Sequence, residues 1–237
     1  MKKTFRIFRF DPEKDRESHF EIYEVETEPS DRILDCLNRI RWEQDATIGF
    51  RMSCGHGVCG SDAMKINGQC GLACQKLVKD FGDDEITVEP LPSFRVLKDL
   101  IVDMYPFLEK AALIRPYLIC SKPPPEKERR QDKTDNEKIN EIIRCILCAC
   151  CTAACPVTGE NEGYLGPACF VRAFRYIFDS RDEDTVARLK QVDHPDGVWG
   201  CVNHFECTRV CPKEIKVTKS INTIKREIER TLSKGNN

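Results

Sequence analysis

The chain has no run of about 18 apolar residues, so its sequence predicts no membrane-spanning helix. Its first ten residues, MKKTFRIFRF, are basic but lack the apolar stretch of a secretory signal. Charge of one sign is also missing: the formal net charge is -2, which singles out no partner. An even cysteine count is absent too, since there are 15, so a complete set of internal disulfides is excluded. These absences place the expected protein in a reducing cytoplasm, soluble or peripheral to a membrane. Apolar residues make up 41% of 237 residues, enough for two small domains with modest cores.

What is present is cysteine in three ordered runs. The first is Cys54, Cys59 and Cys74, with Asp62 two positions beyond Gly60, so that C-x4-C-x2-D…C follows the plant-type [2Fe–2S] spacing with aspartate in the third place. The second, Cys145, Cys148, Cys151 and Cys155 followed by Pro156, is the bacterial C-x2-C-x2-C-x3-C-P frame. The third repeats that frame as Cys201, His204, Cys207 and Cys211 with Pro212. Iron in such clusters takes soft anionic thiolate, and loops supply it because several side chains must converge while backbone N–H groups turn toward sulfur. In paired frames the fourth cysteine serves the other cluster. Cys145, Cys148, Cys151 and Cys211 are therefore expected to hold a [4Fe–4S] cluster, and Cys155, Cys201 and Cys207 a [3Fe–4S] cluster. His204 stands where a fourth thiolate would complete a cube. It is either a ligand, as histidine is in Rieske centres, or a neighbour, and the second reading is favoured. Asp62 competes with Cys70 for the third ligand position of the [2Fe–2S] centre. Cys36, Cys70, Cys120, Cys150 and Cys169 are left over and read as small packed residues.

The first hundred residues read as mixed β and α. Phe5–Phe10 and Phe20–Val25 suggest strands, as do Met64–Ile66 and Ile86–Val88, with a hairpin turn at Asn67-Gly68. Ser30 or Asp31 is placed to cap a helix carrying Ile33, Leu34, Leu37 and Ile40. From Tyr105 the pattern turns helical. Pro167 suits the first turn of a helix carrying Phe170, Phe174, Ile177 and Phe178. Val186, Leu189 and Val192 suggest a second helix. Thr218 is placed to cap a last one carrying Ile221, Ile224, Ile228 and Leu232. Between Lys213 and Lys234 there are seven basic residues and three acidic ones, which reads as a solvated face.

The segments SCGHGVCGSDAMKINGQCGLAC, RCILCACCTAACP, YLGPA, FDSRD and the final C-x5-C-x3-CPK together resemble the iron–sulfur subunit of succinate dehydrogenase and fumarate reductase. The resemblance covers nearly the whole chain. It implies an α+β architecture: a plant-ferredoxin-like β-grasp domain over residues 1–104 and an all-α, bacterial-ferredoxin-like domain over 105–237. It also implies electron relay in the order [2Fe–2S], [4Fe–4S], [3Fe–4S], between FAD on a flavoprotein partner and quinone at a membrane anchor. The chain would then sit peripherally on the cytoplasmic side of the cell membrane, with dicarboxylate chemistry on the flavoprotein and no catalytic acid or base here. Some relatives carry aspartate at the position of Asp62, which favours it as a ligand. Pro156 and Lys225 match family positions near quinone, and His204 is placed beside them. At that end Gly159, Glu160 and Val202 depart from the family pattern, which fits menaquinone, or an anchor that supplies more of the pocket. Two rivals are a stand-alone ferredoxin-like carrier and a subunit serving a thiol/disulfide acceptor.

Overall fold

The computed structural model describes residues 1–82 and 85–232. Along the chain run β1 (Lys2–Arg9), β2 (His19–Glu26), α1 (Ile33–Glu43), β3 (Ala63–Ile66), β4 (Gln69–Leu72), β5 (Glu85–Glu89), β6 (Val96–Lys98) and β7 (Ile101–Val102). Then follow α2 (Tyr105–Leu113), α3 (Lys133–Asn140), α4 (Cys150–Ala153), α5 (Pro156–Glu160), α6 (Pro167–Ile177), α7 (Thr185–Val192), α8 (Glu206–Arg209) and α9 (Val217–Leu232). The chain forms two compact units. One comprises Met1–Met104 with Ile146–Ala154; the other comprises Tyr105–Cys145 with Cys155–Asn237.

The first unit is built on a five-stranded sheet in the order β2-β1-β5-β3-β4. β1 and β5 are parallel, and the other pairs are antiparallel. Period-two alternation puts Phe5 and Ile7 of β1, Tyr23 and Val25 of β2, and Ile86 and Val88 of β5 in the core. The helix α1 buries Ile33, Leu34, Leu37 and Ile40 at helical spacing. This is the α+β, β-grasp arrangement expected. The β3–β4 turn falls at Asn67-Gly68, whose φ values of 42° and 80° are those of the primed hairpin turn. The α1 cap differs from expectation. Arg32, not Ser30 or Asp31, precedes the helix, and its N–H donates to Asp35 Oδ2 at 3.0 Å. Asp31 instead accepts from Glu28 N–H and from Arg39.

One buried cation organises the approach to the cysteine loop. Arg9 Nε donates to Asp99 Oδ1 at 3.1 Å, Nη1 to Asp45 Oδ2 at 2.5 Å and Nη2 to Thr47 Oγ1 at 2.7 Å. Asp99 also accepts from Gly49 N–H at 2.7 Å, so the segment entering the loop is pinned from behind.

The second unit is helical, as expected. α6 packs against α9, α7 and α2. Phe170, Ile177, Leu189, Ile221, Ile224 and Ile228 form its core. Pro167 occupies the first turn of α6, where its missing N–H costs nothing. Thr218 is the second residue of α9 and not its cap: its N–H donates to Thr208 Oγ1 at 3.0 Å, tying α9 to α8. Arg188, 1% exposed, ion-pairs with Asp182 and donates to the carbonyls of Ile114, Arg115 and Tyr117. The FDSRD segment is thereby locked onto the end of α2. Lys234 of the basic C-terminal stretch lies outside the described residues. Among the described residues no helix is long and apolar enough to cross a membrane.

Candidate iron–sulfur sites

The first site is a glycine-rich loop held from α1's side by an arginine. Arg32 Nη1 donates to Gly55 O at 2.6 Å. The strand end after β4 is sewn to the start of α1, because Ile33 N–H donates to Lys76 O and Leu34 N–H to Ala73 O. Cys74 thereby stands beside the loop. Backbone N–H groups then converge on sulfur. Val58 and Cys59 N–H donate to Cys54 Sγ at 3.4 and 3.3 Å, and Cys54 and Ser61 N–H donate to Cys59 Sγ at 3.5 and 3.4 Å. The Cys54 thiol is held down at about 6, first by the His56 backbone and then by the Cys59 thiol and N–H. A nest of donors around adjacent thiolates is what an anionic cluster needs.

Asp62 is only 2% exposed and accepts from Cys74 N–H at 2.5 Å. Its carboxylate is thus fixed at the mouth of the loop. Cys74 is pushed up to about 12 by burial and then by Asp62. A coordinated metal reverses that effect, since a ligating thiol is deprotonated outright. Cys70 lies buried on β4, pushed up to about 11 by burial, with Lys65, Cys148 and Glu89 as its charged neighbours.

The second and third runs share one backbone frame. A 3₁₀ turn precedes each first cysteine, Ile142–Arg144 and Val198–Gly200. The second and fourth residues after that cysteine are left-handed in both: Leu147 and Ala149 at φ 52° and 66°, Asn203 and Phe205 both at 63°. A short helix then begins, α4 or α8. Left-handed non-glycine residues are strained, so the same pair of exceptions in both runs marks one wrapping loop built twice. Cys148 and Cys151 belong to the first unit, Cys145 and Cys211 to the second. The Cys148 thiol is held below its ordinary value chiefly by Cys150, whose own thiol is raised, first by Cys148 and then by burial. Ile215 N–H donates to Cys211 Sγ at 3.4 Å.

Within the second unit Cys155, Cys201 and Cys207 line one cavity, together with Tyr164, His204, Thr218 and Ile221. Cys207 Sγ lies 3.4 Å from Thr218 Oγ1. His204 is exposed at the rim. Lys225 Nζ donates to Cys201 O at 2.8 Å and sits 5.6 Å from the Trp199 ring centroid, within cation–π range. Pro156 follows Cys155 and opens α5. Tyr164, within the YLGPA segment, has a hydroxyl with no hydrogen-bond partner among the described residues. Burial, then the thiols of Cys201, Cys155 and Cys207, push its phenol well above the ordinary value. Three thiols and an orphaned donor around one cavity fit a sulfur cluster. Among the described residues no three His, Cys, Asp or Glu side chains are gathered closely enough to hold a single metal ion. Sequence reasoning did not single out Tyr164, Arg32 or the left-handed pairs. Only the YLGPA match pointed near the first of these.

Of the other left-over cysteines, Cys36 and Cys169 are buried and pushed up to about 12, in each case first by burial. Cys120 Sγ donates to Arg181 O at 3.2 Å.

Residues 4–109 match the family described as 2Fe-2S iron-sulfur cluster binding domain, and residues 141–215 match the 4Fe-4S dicluster domain. The succinate dehydrogenase iron-sulfur subunit of Coxiella burnetii is 38% identical over 98% of this chain and 99% of its own. That of Paracoccus denitrificans is 39% identical over 94% of this chain and 86% of its own. A chain in the solved structure of the Mycobacterium smegmatis Sdh1 complex, in its apo form, superposes with a TM-score of 0.84 at 29% identity, covering 98% of this chain and 97% of that one. Nearly full-length similarity, the two matched domains and the cysteine loops agree: this chain belongs to the family of succinate dehydrogenase iron–sulfur subunits, the electron-transfer component of succinate:quinone oxidoreductase.

Proposed function

We propose that this subunit connects FAD on a flavoprotein partner to quinone at a membrane anchor, through three centres held on one chain, and that the quinone is menaquinone, which fits Gly159, Glu160 and Val202. When bound, the clusters supply one-electron carriers between a two-electron donor and a two-electron acceptor. Cys54, Cys59, Asp62 and Cys74 hold the [2Fe–2S] centre, with the loop N–H groups stabilising charge on its sulfurs. Cys145, Cys148, Cys151 and Cys211 hold the [4Fe–4S] centre, and Cys155, Cys201 and Cys207 the [3Fe–4S] centre. The observation that carries this reading is the cavity with three cysteines and His204 in place of a fourth.

At the quinone end the residues have separate tasks. His204 stays unbonded to iron at the exposed rim, where its imidazole would pass a proton to quinone as the quinone is reduced. Lys225 holds the Cys201 carbonyl and places a positive charge close by. Pro156 stiffens the chain after Cys155. Dicarboxylate chemistry belongs to the flavoprotein, and the chain works as a peripheral subunit on the cytoplasmic side of the membrane.

Purification of the native complex tests this, with subunit, flavin, quinone and iron analysis. A flavin-bearing partner, an anchor and three distinct EPR signals are expected. A lone soluble brown protein would point instead to a free carrier, and one cluster's worth of iron per chain would end the relay reading.

A further inference from the structure

Tyr164 is 1% exposed, and every other part of it is held in place. Its carbonyl accepts from Lys110 Nζ at 2.9 Å, and the next N–H, of Leu165, donates to Asp196 O at 2.9 Å. The ring lies 5.6 Å from that of Phe170. On another side it meets the backbone of Gly200, where a Cβ would come within 2.9 and 3.0 Å of ring carbons Cδ2 and Cε2. Phenylalanine would fill this niche equally well. The hydroxyl is the part that packing does not explain. It faces the Cys201 sulfur without meeting hydrogen-bond geometry, and no described group pairs with it. Burying an unpaired hydroxyl costs free energy, and buried polar groups in native proteins are nearly always satisfied. The cavity it enters is bounded by Cys155, Cys201 and Cys207.

We propose that the Tyr164 hydroxyl donates a hydrogen bond to a sulfur of the third cluster and thereby sets that cluster's reduction potential. This rests on the assignment of those three cysteines to a [3Fe–4S] centre. A donor at sulfur stabilises the more negative, reduced state over the oxidised one, because a hydrogen bond strengthens with charge on its acceptor. The potential is therefore raised, and electrons arriving from the other centres are drawn to this end of the chain. Gly200 contributes by letting the ring approach closely.

The test is Tyr164→Phe in the purified complex, with a redox titration followed by the EPR signal of the oxidised third cluster. The ring and its packing remain, so the signal should persist. The one-electron equilibrium should move about tenfold toward the oxidised form, a fall of ~59 mV in midpoint potential. An unchanged midpoint with an intact signal would overturn the role of Tyr164 alone. Absence of the signal from the wild-type complex would overturn the cluster assignment beneath it. If Tyr164→Phe assembles no third cluster, site-specific 3-fluorotyrosine at position 164 decides. Its more acidic phenol donates more strongly and should raise the midpoint, and no rise would overturn the proposal.

Discussion

Gly60 lies directly against Cys148: a Cβ built on Gly60 would stand 2.8 Å from Cys148 Cβ and 3.0 Å from its Cα. Gly60 immediately follows Cys59 of the first site, and Cys148 belongs to the second cysteine run. Two loops far apart in sequence therefore touch, backbone to side chain, within the first unit. Gly60 also has φ +72°, where a side chain costs about 1–2 kcal/mol. Gly60→Ala should push these loops apart and slow electron arrival at the second centre, while the first keeps its reduced-state EPR signal. Freeze-quench EPR after succinate addition measures this. Wild-type kinetics in Gly60→Ala would show that the contact is dispensable.

Asp62 is expected to bind the first cluster. Asp62→Cys should retain the [2Fe–2S] signal with a shifted potential, since thiolate donates more charge than carboxylate. Cys70→Ala should leave the signal unchanged. If Cys70→Ala loses the cluster and Asp62→Ala keeps it, the ligand is Cys70.

His204 gives a different pattern. His204→Cys completes four thiolates around the third cavity, and should favour a [4Fe–4S] cluster with a lower potential and slower quinone turnover. His204→Ala should preserve the [3Fe–4S] signal yet impair the quinone reaction. Loss of iron in His204→Ala, seen against two [4Fe–4S] clusters in anaerobic wild type, would make His204 a ligand.

The Arg188–Asp182 pair is expected to matter for stability and not for electron transfer. Arg188→Met leaves Asp182 buried without its partner and frees three carbonyls, costing about 3–5 kcal/mol. Thermal unfolding of the purified complex should show an early transition with unshifted cluster potentials. A wild-type melting profile would count against this role.

Acid sensitivity should come partly from Asp45. Burial alone would raise its carboxyl, but hydrogen bonds from Thr47, Tyr23 and Arg9 outweigh that and hold it below the usual range. A depressed folded value means a contribution fully present above the unfolded value of about 3.9 and lost as pH falls below it. The melting temperature should therefore drop more steeply on the acid side in wild type than in Asp45→Asn. Parallel acid limbs would remove Asp45 from the account.

The sequence by itself determined that the chain carries a 2Fe-2S domain and a 4Fe-4S dicluster domain, because ligand spacing along a loop is local and iron demands thiolate at fixed separations. It also determined most elements. Alternation at Phe5 and Ile7 and the helical stripe of Ile221, Ile224 and Ile228 are one-dimensional records of burial. The Asn67-Gly68 turn was legible for the same local reason. Caps were less legible: Arg32 took the place expected for Ser30 or Asp31, because Asp31 was claimed by Glu28 and Arg39. Only the tertiary structure decided what meets what. It brought Gly60 onto Cys148, gave Leu147 and Ala149 the same left-handed turns as Asn203 and Phe205, and set the Tyr164 hydroxyl facing the cavity of Cys155, Cys201 and Cys207. Such relations depend on packing between segments distant in sequence, and no local spacing records them.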